Sequence, residues 1–193
     1  MSEYDFTETV IHDLSQWKDQ LRTELEKRNA TADDELAKGM RRLVINPRMR
    51  LHTGSTLGWS YNDGQYSWSN FEREADVAIG FTEETTGGAD EFVPLFLIEL
   101  KSQSFNSDEL DKKSAVYSGF RDVYPWVTRI LIHKNLAEHR ALHENYLFKN
   151  ARGFDLILTE WPGDTGESTV PAKRTLEKYL EARLGYYVTY WGF

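Results

Sequence analysis

Apolar residues recur in two rhythms along this chain, and the change of rhythm predicts where helices give way to strands. Phe6, Val10, Leu14, Trp17, Leu21 and Leu25 stand three and four apart, the single stripe of an amphipathic helix over residues 6–28. Glu24 borders that stripe beside Trp17, whereas Glu26 points away. The stretch Thr-Ala-Asp-Asp at 31–34 supplies helix-start chemistry for a second helix over 35–44, which Pro47 ends. Over residues 52–71 the texture shifts to Gly, Ser, Thr and aromatic rings. Trp59, Tyr61, Tyr66 and Trp68 flank Asn62-Asp63-Gly64, which predicts a hairpin with the rings of each arm on one face. Such a face serves packing more often than base stacking.

Residues 74–101 predict the two central strands. The first carries Asp76, the second is apolar on both parities and ends in Glu99-Leu100-Lys101, and an acidic glycine loop joins them. A link this short predicts an antiparallel pair, and apolarity on both parities predicts cover on both faces. Pro94 is tolerated near a strand start. Residues 107–124 predict a helix that stops before Pro125, with Leu110, Val116, Tyr117, Phe120, Val123 and Tyr124 on one face and Lys113 near its centre. A strand over 127–133, a helix over 138–150 and a strand over 154–160 follow, an alternation that predicts an α/β layer with some parallel pairing. Pro171 opens a last helix to Leu184, closed by Gly185. The tail, YYVTYWGF, predicts an aromatic strand covering the sheet or a partner subunit. With no repeat or linker in sight, the chain is read as one domain: residues 1–50 as N-terminal helices, 51–160 as sheet core, 161–193 as a C-terminal helix and strand.

Composition narrows the function. A chain of 193 residues with 40% apolar and 13% aromatic residues is globular. Without cysteine there are no disulfides and no thiolate zinc sites. No apolar run approaches the roughly 20 residues of a membrane span, and no signal-peptide pattern is present, so a soluble, cytoplasmic protein with no membrane partner is expected. The net charge of −8 argues against nonspecific nucleic-acid binding, yet the charge is uneven. The first 35 residues hold ten acidic and four basic side chains, while Arg41, Arg42, Arg48 and Arg50 share ten residues with no acid. A local patch of that kind can bind phosphate; a solvated charged face is the alternative.

The charged groups on the central strands carry the candidate chemistry. Glu99 and Lys101 project to one face of their strand, and unpaired charge is costly to bury. Asp76 and Glu99 are hard oxygen donors suited to Mg²⁺ or Mn²⁺. Lys101 could stabilise developing charge on a phosphorane or orient the attacking water. An ion pair at a sheet end, with Asp76 capping a turn, is the plainer alternative. Lys113 on the apolar helix face must snorkel or meet an anion. His133, His139 and His143 offer a second metal-binding possibility, but no H-E-x-x-H, Walker A loop or G-x-S-x-G elbow occurs.

In these elements the chain resembles the PD-(D/E)XK nuclease superfamily. Asp76 matches the family's strand aspartate and Glu99-Leu100-Lys101 its (D/E)XK element. Lys113-Ser114-Ala115-Val116-Tyr117 looks like the QxxxY element of the recombination-exonuclease branch, with Lys in place of Gln, and Ala75 stands where many members have Pro. The resemblance covers residues 71–133. It implies a restriction-endonuclease-like αβββαβ core, a mixed sheet flanked by helices, and divalent-metal-dependent hydrolysis of DNA phosphodiester bonds, of restriction, defence or DNA-processing type. Asp76 and Glu99 would bind Mg²⁺ (or Mn²⁺), with Lys101, Lys113 and an N-terminal acid, Glu24 or its rival Glu35, completing the catalytic set. Arg41, Arg42, Arg48, Arg50 and Tyr117 would contact the nucleic acid, DNA first and RNA as an alternative substrate, and double-strand cleavage implies a homodimer. A catalytically inactive binding or assembly module on the same fold is the alternative function.

Overall fold

The computed structural model describes residues 3–27, 35–54, 58–62, 65–69, 71–84, 90–103, 106–134, 147, 149–159, 161 and 171–191. Two N-terminal helices, α1 (Glu3–Lys27) and α2 (Glu35–Arg42), lead into β1 (Leu43–His52). A hairpin of β2 (Gly58–Asn62) and β3 (Gln65–Ser69) follows, then β4 (Glu72–Glu84) and β5 (Asp90–Lys101). Helix α3 (Ser107–Val123), β6 (Thr128–His133), β7 (Leu156–Leu158) and α4 (Pro171–Trp191) complete the described elements. Five strands form one mixed sheet in the order β1-β4-β5-β6-β7, antiparallel through β5 and parallel from there on. With the separate β2–β3 hairpin set aside, the described elements contain an αβββαβ run, from α2 through β1, β4, β5 and α3 to β6. The fold is α/β, a mixed sheet flanked by helices.

Each face of the sheet has its own apolar layer. On one, the α1 stripe (Phe6, Val10, Leu14, Trp17) and α4 (Leu176, Leu180, Leu184) pack over Val77, Ile79, Ile98, Leu100, Ile130 and Ile132. On the other, Tyr117 and Phe120 of α3 pack over Ala75, Ala78 and Leu97, and Leu110 packs with Leu131. Residues 94–100 of β5 are all buried, as a central strand covered on both faces requires. Pro94 is the fifth of the twelve residues of β5 and pairs with Gly80 beside the register shift at Ile79/Gly80, an irregularity of the kind that tolerates proline. Its carbonyl accepts the Trp126 indole N–H at 2.8 Å.

Three expectations fail. The tail is no strand: α4 continues through Gly185 to Trp191. Tyr187 and Val188 extend the Leu176, Leu180, Leu184 stripe at helical spacing, and all five are buried. That burial outweighs the weak helix preference of β-branched and aromatic residues. The second helix ends at Arg42, and residues 43–52, eight of them assigned to the N-terminal helices, form an edge strand instead. Pro47 sits within that edge, where a missing N–H is tolerated. The strand over 154–160 shortens to Leu156–Leu158. The hairpin arms pair as read, Trp59 opposite Trp68 and Tyr61 opposite Tyr66. Of the helix over 138–150, Leu147, Lys149 and Asn150 are helical and residues 138–146 lie outside the described residues, His139 and His143 among them.

One irregularity shapes the site. Between Pro47↔Val77 and Met49↔Ala75, Arg48 and Asp76 form no pair, although the register on both sides is the same. Leu43, Ile45, Val77 and Ile79 belong to the α1 layer, whereas Met49, Leu51 and Ala75 belong to the α3 layer. Both strands therefore change faces at this level. Arg48 makes the change with a φ of 49°, a left-handed conformation uncommon outside glycine.

Candidate active site

The face change at Asp76 frees its side chain from either apolar layer and turns it along the sheet. The β4–β5 ladder ends at Val77↔Ile98. Just beyond, the Leu100 N–H donates to Asp76 Oδ2 at 2.8 Å instead of to a strand carbonyl. Charge-assisted bonds of this sort hold a carboxylate in one orientation. Glu99, two residues beyond Leu97 on β5, points into the α3 layer and is 1% exposed. Its Oε1 lies 2.6 Å from Lys113 Nζ, delivered by α3, and 3.9 Å from Lys101 Nζ on its own strand. Asp76, Glu99, Lys101 and Lys113 therefore meet at the C-terminal end of β5.

The helix supplying Lys113 is firmly seated. Asn106 caps α3 by accepting the Glu109 N–H, while the Glu109 carboxylate accepts the Asn106 N–H, a capping box. One turn of α3 rests against Gly153, where a Cβ would come within 2.3 Å of the Ser114 carbonyl oxygen. Only glycine permits that approach.

Electrostatically the site is strained in its carboxylates. Burial, followed by the nearby charge of Asp76, raises the pKa of Glu99 from 4.5 to about 7, against the opposing pull of Lys113 and Lys101. Tyr117 is wholly buried beside Phe120 and Phe154, with ring centroids at 5.4 and 4.7 Å. Burial, and then the charges of Glu99 and Asp76, push its pKa upward. The Tyr117 hydroxyl faces Glu99 and the Asp76 backbone, but among the described residues neither it nor Glu99 Oε2 is in a well-formed hydrogen bond. A buried carboxylate oxygen short of a donor is costly as it stands. The donor set of Asp76 and Glu99 fits a hard divalent ion by its chemistry. It is a two-carboxylate set, because among the described residues no cluster of three or more His, Cys, Asp or Glu side chains occurs.

Other expected members lie elsewhere. Glu24 is exposed on α1, the helix of the opposite layer. The Arg48 guanidinium stacks on Tyr4, 5.6 Å from its ring centroid, so the first turn of α1 lies level with Asp76. Glu24 is twenty residues further on, about 30 Å along the helix. The Glu35 side chain lies outside the described residues. Tyr117, expected to contact the nucleic acid, has no exposed surface with which to do so; it faces the carboxylates from within. Arg42 is engaged by Glu83 and lies over the Phe81 ring, so its charge is largely answered within the protein. Arg41 is exposed at the end of α2, whereas Arg48 and Arg50 are exposed on β1 at the level of Asp76. The basic patch thus divides into two groups about 20 Å apart along the strand. His133 is fully buried beside Lys101 in the parallel ladder, with its Nε2 2.9 Å from the Gln103 carbonyl oxygen.

Two features escaped the sequence reading. Arg129 is 4% exposed and forms a two-pronged pair with Asp155 (Nε–Oδ2 3.0 Å, Nη2–Oδ1 2.9 Å), and Arg121 approaches the same carboxylate at 3.5 Å. Desolvation would raise the Asp155 pKa, but the Arg129 bonds outweigh it and the net shift is downward. That pair ties β6 to the turn before β7 behind the site. The bend at Arg48 and Asp76 also left no sequence signal, since arginine is no marker of positive φ.

No protein-family model matches the chain, and no curated protein matches it. Among solved structures, the native A2B2 tetramer of BbvCI contains a chain similar to this one, with a TM-score of 0.46 and 14% identity, over 99% of this chain and 85% of that one.

Proposed function

We propose that the protein is a divalent-metal-dependent endonuclease of the PD-(D/E)XK type that hydrolyses DNA phosphodiester bonds. The observation that carries this reading is the meeting of a part-buried Asp76 and a fully buried Glu99, with two lysines beside one Glu99 oxygen and the other in no well-formed hydrogen bond among the described residues. Buried carboxylates assembled only for stability would have their oxygens satisfied.

Asp76 and Glu99 would hold Mg²⁺ or Mn²⁺, Asp76 kept in orientation by the Leu100 N–H. A divalent cation bound there would supply Lewis-acid polarisation of the scissile phosphate and a lowered pKa for a bound water. Lys101 is 17% exposed and reaches the mouth of the site from the same strand face as Glu99. There its ammonium can hydrogen-bond the attacking water or a phosphate oxygen as negative charge accumulates. Arg48 and Arg50, exposed at the same level, would pair with flanking phosphates, and the β2–β3 hairpin would approach a groove. Cutting both strands of a duplex calls for two copies of the site, hence a homodimer.

Plasmid DNA incubated with Mg²⁺ or Mn²⁺ tests the reading. Wild type is expected to nick or linearise it, and Asp76→Asn and Lys101→Ala to lose on the order of 10²–10³-fold in rate. Activity surviving both substitutions overturns the proposed site. Cleavage of RNA alone would move the substrate class, and binding with no cleavage of either nucleic acid would reassign the chain to a binding module.

A further inference from the structure

Glu99 presents its two oxygens to different company. Oε1 faces two ammonium groups, Lys113 at 2.6 Å and Lys101 at 3.9 Å, whereas no ammonium group among the described residues reaches Oε2 and the Tyr117 hydroxyl faces the carboxylate from within. Lys113 cannot retreat with its helix, because α3 is fixed by its capping box and by the Ser114 backbone against Gly153. Its side chain is 34% exposed, so the stem spans the helix–strand gap and brings the charge to Glu99.

We propose that Lys113 is the resident cation of the site, holding the Oε1 side of Glu99 where a second divalent ion would otherwise sit, so that each chain binds a single divalent ion through Asp76 and Glu99 Oε2. This rests on the metal-dependent reading above and adds the number of ions to it. An ammonium hydrogen-bonds a carboxylate oxygen at about 2.7–2.9 Å, and Mg²⁺ binds one at about 2.0–2.1 Å. Both on one oxygen would sit within about 4 Å of each other, where like charges repel strongly in a water-poor site. Lys113 already has that oxygen.

Mn²⁺ titration of the full chain without nucleic acid tests the proposal, read by calorimetry and by the electron paramagnetic resonance signal of free Mn²⁺. Wild type and Lys113→Arg are expected to bind one ion per chain. Lys113→Met, which keeps the length of the stem and removes the charge, is expected to bind a second ion or to hold the first about tenfold more tightly. Near-ultraviolet circular dichroism checks that each variant is folded; should Lys113→Met fail to fold, the wild-type stoichiometry of one or two still decides. Two ions on wild type, a Lys113→Met titration matching wild type, or Lys113→Arg behaving like Lys113→Met overturns the proposal and leaves the metal-dependent reading standing. Wild type binding no more Mn²⁺ than Asp76→Asn overturns both.

Discussion

Glu99 is destabilising where it sits, and the sign of that cost can be measured. Its folded pKa of about 7 exceeds the unbound value of 4.5 because burial, and then the charge of Asp76, disfavours the carboxylate. The folded state therefore holds this proton more tightly than the unfolded chain does. The favourable contribution is complete below about pH 4.5 and is lost as pH rises through 7, amounting to about 3 kcal/mol. Glu99→Gln cannot titrate. In urea unfolding with chelator present, the stability difference between variant and wild type is expected to move in the variant's favour between pH 5 and pH 8. Differences that stay flat across that range would show that Glu99 is already satisfied and would remove the argument for its role as a ligand. The same residue shows what the sequence could reveal. A glutamate and a lysine two apart on an apolar strand announce a shared face, and Lys113 on an apolar helix face announces an anion nearby. Nothing in the string says that Tyr117 lies beneath the carboxylates with no exposed surface, because the depth of a residue on the correct face depends on how closely α3 seats, and Gly153 decides that forty residues later.

At the scale of elements, the most consequential local structure is the bend at Arg48 and Asp76. If Arg48 is tolerated there at the expense of a left-handed backbone, shape should matter more than charge. Arg48→Gly is expected to leave stability unchanged or raise it by up to ~1 kcal/mol, while Arg48→Val, β-branched and strained at positive φ, should lower it by about 1–2 kcal/mol. Equal losses for both in thermal or urea unfolding would mean that the stacking on Tyr4 matters and the backbone does not. The opposite end of the site depends on α3, and Asn106→Ala removes the side-chain half of its capping box at a cost of about 1 kcal/mol. Unfolding midpoints equal to wild type would refute that. The contrast between these elements explains which of them the sequence discloses. α3 has a cap, a periodic face and a proline stop, all local signals. Strand β1 mixes arginines, a proline and scattered apolar residues; it is a strand because β4 supplies its partner, and Pro47 is acceptable because the edge asks nothing of its missing N–H.

Across the whole molecule, α4 closes the layer opposite the site, and it does so through the residues whose string looked most like a strand. Tyr187 is buried, with its ring edge-on to Phe96 at 5.5 Å. Its hydroxyl meets Thr128 Oγ1 at 2.6 Å and the carbonyl oxygens of Trp126 at 2.7 Å and Leu95 at 3.2 Å. Arg183, one turn earlier, donates to the same Thr128 oxygen. One side chain thus gathers the starts of the parallel strands β5 and β6, at the end of the sheet away from Glu99 and Lys101. A local reading cannot see this: Gly185 is a fair stop signal, and only the buried contacts of Tyr187 and Val188 make it worth continuing the helix past it. Tyr187→Phe keeps the packing and removes the hydroxyl, leaving a buried carbonyl and the Thr128 hydroxyl short of a partner. The expected loss is about 1–3 kcal/mol of unfolding free energy. Because the change lies at the opposite end of the strands, Mn²⁺ binding by the folded variant should match wild type. Intact stability would mean that apolar contact alone holds α4, whereas weakened ion binding in a folded variant would mean that the two ends of the sheet are coupled through β5.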